Sequence, residues 1–257
     1  MRLKFTIDPE YDIQTFFHLL RQEHWQSRVA DAGISYDLAE KIHNASSDEE
    51  LSALYQELHE FAMEQYSQNH ESIEKSKEAY QASWDEIIDE FSKTAADLTA
   101  PWYYDEYQCV VTHLCKGVSN WNGNKIGRTW KEDPDSQRRI TAHEILLAHY
   151  FSIHRNRFPN SGLTDEQIWK LAEIAAMALT GLEPSLKKFW PHDEKGYYTD
   201  HNYPELVELQ EQMQDAYVHR TNFDEYVRKG MELVKENEAK EHIKRGTRPL
   251  EKEGGIQ

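Results

Sequence analysis

The sequence predicts a predominantly helical α+β fold, and three observations carry that reading. Long stretches place apolar residues at helical spacing, while short runs of β-formers occur only at the start and between about 107 and 130. A change of texture at Pro101 separates the two regions. A chain of 257 residues can bury a sizeable core. The expected organisation is a helical N-terminal region over 1–100, a core of edge strands and helices over 101–241, and a flexible tail over 242–257.

Leu3, Phe5 and Ile7 alternate with polar residues and predict a short opening strand. Residues 10 to 98 then read as helical and strongly charged. Ser46-Ser47-Asp48-Glu49 marks a helix start, followed by Leu51, Leu54, Leu58, Phe61 and Ala62 at helical spacing. Ile73, Tyr80, Trp84, Ile87, Ile88 and Phe91 continue the pattern. A break near Gln68-Asn69-His70 is expected between them, giving two long amphipathic helices packed as a hairpin.

Beyond Pro101, Tyr107 to Leu114 is rich in β-formers, and Ile126 to Trp130 can form another strand. With Asn122-Gly123 between them, the expectation is a small antiparallel sheet. Asp135 or Ser136 can cap the next helix, which is apolar nearly all round from Ile145 to Phe151 and is expected to be central and buried. Pro159-Asn160-Ser161-Gly162 ends it. Thr164-Asp165-Glu166-Gln167 is a capping box that opens a further helix running to Gly181. An aromatic-rich loop over 183–202 and two polar helices complete the core. Trp102-Tyr103-Tyr104 and Phe189-Trp190-Pro191 read as core plugs and loop anchors.

The formal net charge of -17 argues against a nucleic-acid backbone as partner and discourages anionic membrane surfaces. No apolar run approaches the ~18 residues of a membrane span. Two cysteines and no signal-peptide pattern at the start fit a reducing cytoplasm without a disulfide framework. Cys109, His113 and Cys115 alternate on one strand face, a spacing poorly suited to a tetrahedral metal clip, and read as buried structural residues.

The segment that carries chemistry is Ile140-Thr141-Ala142-His143-Glu144-Ile145-Leu146-Leu147-Ala148-His149. In H-E-x-x-H, two imidazoles four apart share a helix face and can hold one Zn²⁺, and the Glu serves as general base. Here Leu147 stands four residues after His143, and His149 stands six after it. On an ideal helix His149 lies about 120° around and roughly 9 Å up from His143. His59-Glu60 and His70-Glu71 repeat the dipeptide on helices that look solvated, so position distinguishes the third copy. Glu173 follows in a second helix, between Trp169 and Met177, with its carboxylate on an apolar face. A buried carboxylate there wants a metal or an arginine, and Arg138, Arg139 and Arg155 are the arginines at hand. The plainer reading of the dipeptide is a core His143 bonded to a backbone carbonyl, with Glu144 paired to Arg138 or Arg139.

In order of elements, residues 100 to 205 resemble the gluzincin branch of zinc metallopeptidases. An edge strand and turn region precedes a helix bearing His-Glu, and a second helix supplies a Glu some 30 residues on. The resemblance implies a zincin-like core, zinc as cofactor and a peptide or protein substrate paired along the edge strand. It implies His143 and Glu173 as ligands, Glu144 as general base, and Tyr197, Tyr198 or His201 as stabiliser of the oxyanion. The missing ligand could be His149 after a two-residue distortion of the helix, or a histidine from elsewhere, such as His113, His154 or His201. The chain could instead be an inactive pseudo-peptidase. From a different class, it could be a non-enzymatic helical interaction module, binding a protein partner through the charged helix at 47 to 66.

Overall fold

The computed structural model of the protein describes residues 1–22, 25–119, 123–191 and 204–246. Its elements are β1 (Arg2–Thr6), α1 (Pro9–Leu20), α2 (Gln26–Ala32), α3 (Tyr36–Asn44), α4 (Asp48–Asp85) and α5 (Ile88–Leu98). There follow β2 (Glu106–Thr112), β3 (Gly117–Ser119), β4 (Lys125–Thr129), α6 (Gln137–Arg157), α7 (Asp165–Gly181), α8 (Pro184–Lys187), α9 (Pro204–Val218) and α10 (Phe223–Gly246). The mostly helical α+β expectation holds. No helix among the described residues is long and apolar enough to cross a membrane.

The expected break at Gln68-Asn69-His70 is not there, and α4 is one continuous helix of 38 residues. Neither Gly nor Pro interrupts it, and the Asn69 amide donates back to Gln65 O at 2.8 Å instead of diverting the backbone. A capping box fixes its start: Ser47 Oγ accepts from Glu50 N while the Glu50 carboxylate accepts from Ser47 N. Its length is used by two cores. Leu58 and Ala62 pack with Ile13, Phe16, Leu20 and Ile42 from α1 and α3. Tyr66, Ile73, Tyr80 and Trp84 pack instead with the sheet and with α6 and α7.

The expected antiparallel sheet is corrected to a mixed one, in the order β1-β2-β4-β3. β1 pairs parallel with β2 (Phe5 opposite Cys109), and β2 pairs parallel with β4 (Val110 opposite Gly127). Only β3 runs antiparallel, with Val118 opposite Gly127 on β4. The burial of β2 explains the difference. Cys109, Val110, Val111 and Thr112 are all fully buried, as expected of a central strand covered on both faces. Parallel neighbours need long crossovers, and the segment α1 to α5 supplies the one between β1 and β2. The first strand therefore shares its sheet and its apolar core with residues beyond 101.

The turn between β2 and β3 is held from outside the sheet. Asp12 on α1 is fully buried, and its carboxylate accepts the backbone N–H groups of His113, Leu114 and Cys115 at 2.8 to 3.0 Å. It also accepts the hydroxyl of Tyr66 on α4 at 2.8 Å. A buried charge with this many donors is compensated. It locks the turn that leads into β3.

Candidate functional site

α6 is the central helix of the site, and its sequence makes it so. Twelve of its positions from Thr141 onward are buried, among them Ala142, Ile145, Leu146, Leu147, Ala148, Tyr150, Phe151 and Ile153. α7 begins at the predicted capping box, with Thr164 Oγ1 accepting from Gln167 N, and packs against α6, with Ala172, Ala175, Ala176 and Ala178 all buried along it. Small side chains let the two backbones approach.

That approach brings His143 and Glu173 together. His143 Nε2 lies 3.0 Å from Glu173 Oε2, and each side chain is only 15% exposed. The other oxygen, Oε1, accepts the indole N–H of Trp169 one turn earlier on α7, at 3.1 Å. Burial pulls the His143 pKa down, but the hydrogen bond and charge of Glu173, with the charge of Glu144, outweigh it and hold the imidazole above its ordinary value.

Glu144, next along α6, is directed to the sheet. A Cβ built on Gly117, the first residue of β3, would stand 3.0 Å from Glu144 Oε1 and 2.6 Å from Arg128 Nη1. The carboxylate and the guanidinium converge on this one position of the edge strand, and only the absence of a side chain at Gly117 admits both. Arg128 is buried, donates to Lys116 O at 2.8 Å and pairs with Glu132. Two consecutive residues of α6 thus reach two different elements, His143 to α7 and Glu144 to β3.

The other expected site residues are placed elsewhere. α6 runs without a break, so the two-residue distortion that would turn His149 toward His143 is absent. His149 is 1% exposed, and its Nε2–H donates to Ala100 O at 3.2 Å. Its ring packs on Trp102 with centroids 4.3 Å apart. Burial pushes its pKa down to about 4. The backbone-bonded core histidine is therefore His149, while His143 is bonded to a carboxylate. His113 is also engaged, its Nδ1 accepting from Trp130 Nε1 at 3.0 Å. His154 lies on α6 beyond Tyr150, against Phe158. Arg138 binds Ser83 and Glu86 at the start of α6 and is not the partner of Glu173. Tyr197, Tyr198 and His201 lie outside the described residues. Cys109 and Cys115 are buried free thiols.

Two donors of a tetrahedral site at ~2.0–2.2 Å from the ion stand about 3.3–3.6 Å apart. The observed 3.0 Å is a few tenths of an ångström shorter and is a direct hydrogen-bond contact between the two side chains. Among the described residues no group of three or more His, Cys, Asp or Glu side chains could hold a metal. The face that should carry the second imidazole carries Leu147, 3% exposed.

Three participants carry little or no local signal in the sequence. Trp169 was legible as an apolar neighbour of Glu173 but not as a donor, although an i, i+4 pair on a helix is in reach of a hydrogen bond. Gly117 and Arg128 had no local signal, because their role depends on how β3 and β4 sit beside α6. No protein-family model matches the sequence, and searches of curated proteins and of solved structures return no match.

Proposed function

We propose that this chain is a gluzincin-type zinc-dependent peptide hydrolase, with His143 and Glu173 as two of the metal ligands and Glu144 as the general base. The observation that carries the reading is the 3.0 Å approach of His143 Nε2 to Glu173 Oε2 across two helices, beside a Glu that reaches the edge strand. Zinc bound there would supply a polarised water of lowered pKa. Trp169 orients Glu173 by occupying Oε1 and leaving Oε2 toward His143. Glu144 would receive a proton on its carboxylate and pass it to the leaving amine. β3 stands at the end of the sheet order, and its outer backbone groups would be the ones to pair with an extended peptide. A third protein ligand would come from outside the described residues, with His201 the candidate.

A second reading, the inactive pseudo-peptidase, is favoured by Leu147. A buried leucine fills the position of the second imidazole on the face that His143 uses. In that form the His143–Glu173 bond clasps α6 to α7, and β3 still offers its edge to a peptide. Hydrolysis of a fluorogenic peptide library by zinc-supplemented protein separates the two. The hydrolase reading expects turnover that Glu144→Gln lowers by about 10²-fold or more while zinc content is unchanged. Absence of turnover in the wild type supports the pseudo-peptidase.

A further inference from the structure

We infer that a cleft at the far end of the α6–α7 pair binds the free amino terminus of a peptide, or an amino-acid amide, with an apolar side chain. The inference stands apart from the zinc reading and does not require it. The cleft has a volume of about 700 Å³ and is lined by Phe151, His154 and Arg155 of α6, Asp165, Glu166, Ile168 and Trp169 of α7, and Gln22 after α1. That is the size range of small-molecule sites, which pair an apolar floor with a few polar groups.

The lining divides by chemistry. Phe151, Ile168 and Trp169 form an aliphatic and aromatic floor, in which Phe151 is 2% exposed. The rim is charged. Glu166 pairs with Lys170 at 2.6 Å, whereas Asp165 makes no hydrogen bond or ion pair among the described residues. An ammonium group is the complement of that exposed carboxylate, and a chain of net charge -17 attracts cations over anions. Arg155 of the facing helix lines the same cleft, its Nη2 donating to Ser152 Oγ at 3.4 Å. The wall holds one further sign of a site. His154 is 4% exposed, burial pushes its pKa down, and its buried Nε2 has no hydrogen-bond partner among the described residues. A buried polar atom left without a partner is uncommon in folded proteins and calls for a water or a ligand.

Trp169 ties this cleft to the pair described above. The same indole that lines the floor donates to Glu173 Oε1. A ligand packed on the ring therefore touches the residue that orients Glu173.

The test is calorimetric titration of the full chain with L-phenylalaninamide and with N-acetyl-L-phenylalaninamide, on wild type and Asp165→Asn. Asp165 is exposed, so the variant is expected to fold, and its melting curve checks this. Removing one exposed charge pair weakens binding by about three- to fivefold. The amide is therefore expected to bind the wild type three- to fivefold more tightly than its acetylated form, and to lose that preference on Asp165→Asn. In Trp169→Phe the ligand-induced fluorescence change should disappear while calorimetric binding persists. Equal affinity for the two probes on wild type, no binding of either at millimolar concentration, or a preference that survives Asp165→Asn would each overturn the inference.

Discussion

Glu173 divides its two carboxylate oxygens between partners on different helices, giving Oε2 to His143 of α6 at 3.0 Å and Oε1 to Trp169 of its own helix at 3.1 Å. The carboxylate is thereby fixed in orientation as well as position. Its exchange for alanine would leave a mostly buried imidazole without its partner, at a cost of about 1–3 kcal/mol. Because the two side chains contact each other, His143→Ala and Glu173→Ala should be non-additive by about 0.5–3 kcal/mol in urea unfolding. Additive effects would mean the two groups do not interact in the folded protein.

His149 predicts an acid-sensitive stability. Its folded pKa is depressed to about 4 by burial, against an ordinary value of 6.5. The unfolded chain therefore binds more protons between those values, so stability rises with pH there. The contribution is fully present above pH 6.5 and is lost as pH falls, amounting to about 3 kcal/mol by pH 4. His149→Gln keeps a donor for Ala100 O and does not titrate. Its unfolding free energy should fall less steeply than that of wild type over this window, and parallel slopes would contradict the placement of His149.

Asp12 is the group whose loss should cost most. Asp12→Asn turns one acceptor into a donor facing backbone N–H groups, with an expected destabilisation of about 3 kcal/mol. Tyr66→Phe removes one of the four donors and should cost about 1 kcal/mol. Chemical denaturation of both variants checks the order. An Asp12→Asn variant as stable as wild type would show that the turn before β3 is held by other contacts.

The unbroken α4 predicts a distance. Spin labels at the exposed positions Glu49 and Glu78 lie on one helix and should be about 44 Å apart, at 1.5 Å rise per residue. A hairpin bent at Asn69 would bring them far closer, so pulsed dipolar spectroscopy decides between the two.

What could be read from the sequence follows from the range of each interaction. Both helix starts at Ser47 and Thr164 were legible, since a capping box is closed within four residues. The burial of α6 and the apolar setting of Glu173 were legible from neighbours at helical spacing. The direction of the strands was not. Alternation marks Leu3, Phe5 and the β2 segment as strands, but their parallel pairing is decided by a crossover of five helices. The false break in α4 has a similar origin. Gln68 and His70 are exposed and belong to the solvated face of a continuous helix, where a polar cluster has no breaking effect. Glu144 could be marked as a candidate base from its dipeptide, but its contact with Gly117 depends on the register of β3 against β4. That register is a property of the assembled sheet.

Metal content tests the central claim most directly. Protein expressed with zinc and purified without chelator should carry about one equivalent of zinc by elemental analysis, as a catalytic site requires. His143→Ala and Glu173→Gln should each reduce that severalfold or more, since both supply ligand atoms. Less than about a tenth of an equivalent in the wild type, or zinc unaffected by either substitution, would contradict the assignment of His143 and Glu173 as ligands of one ion.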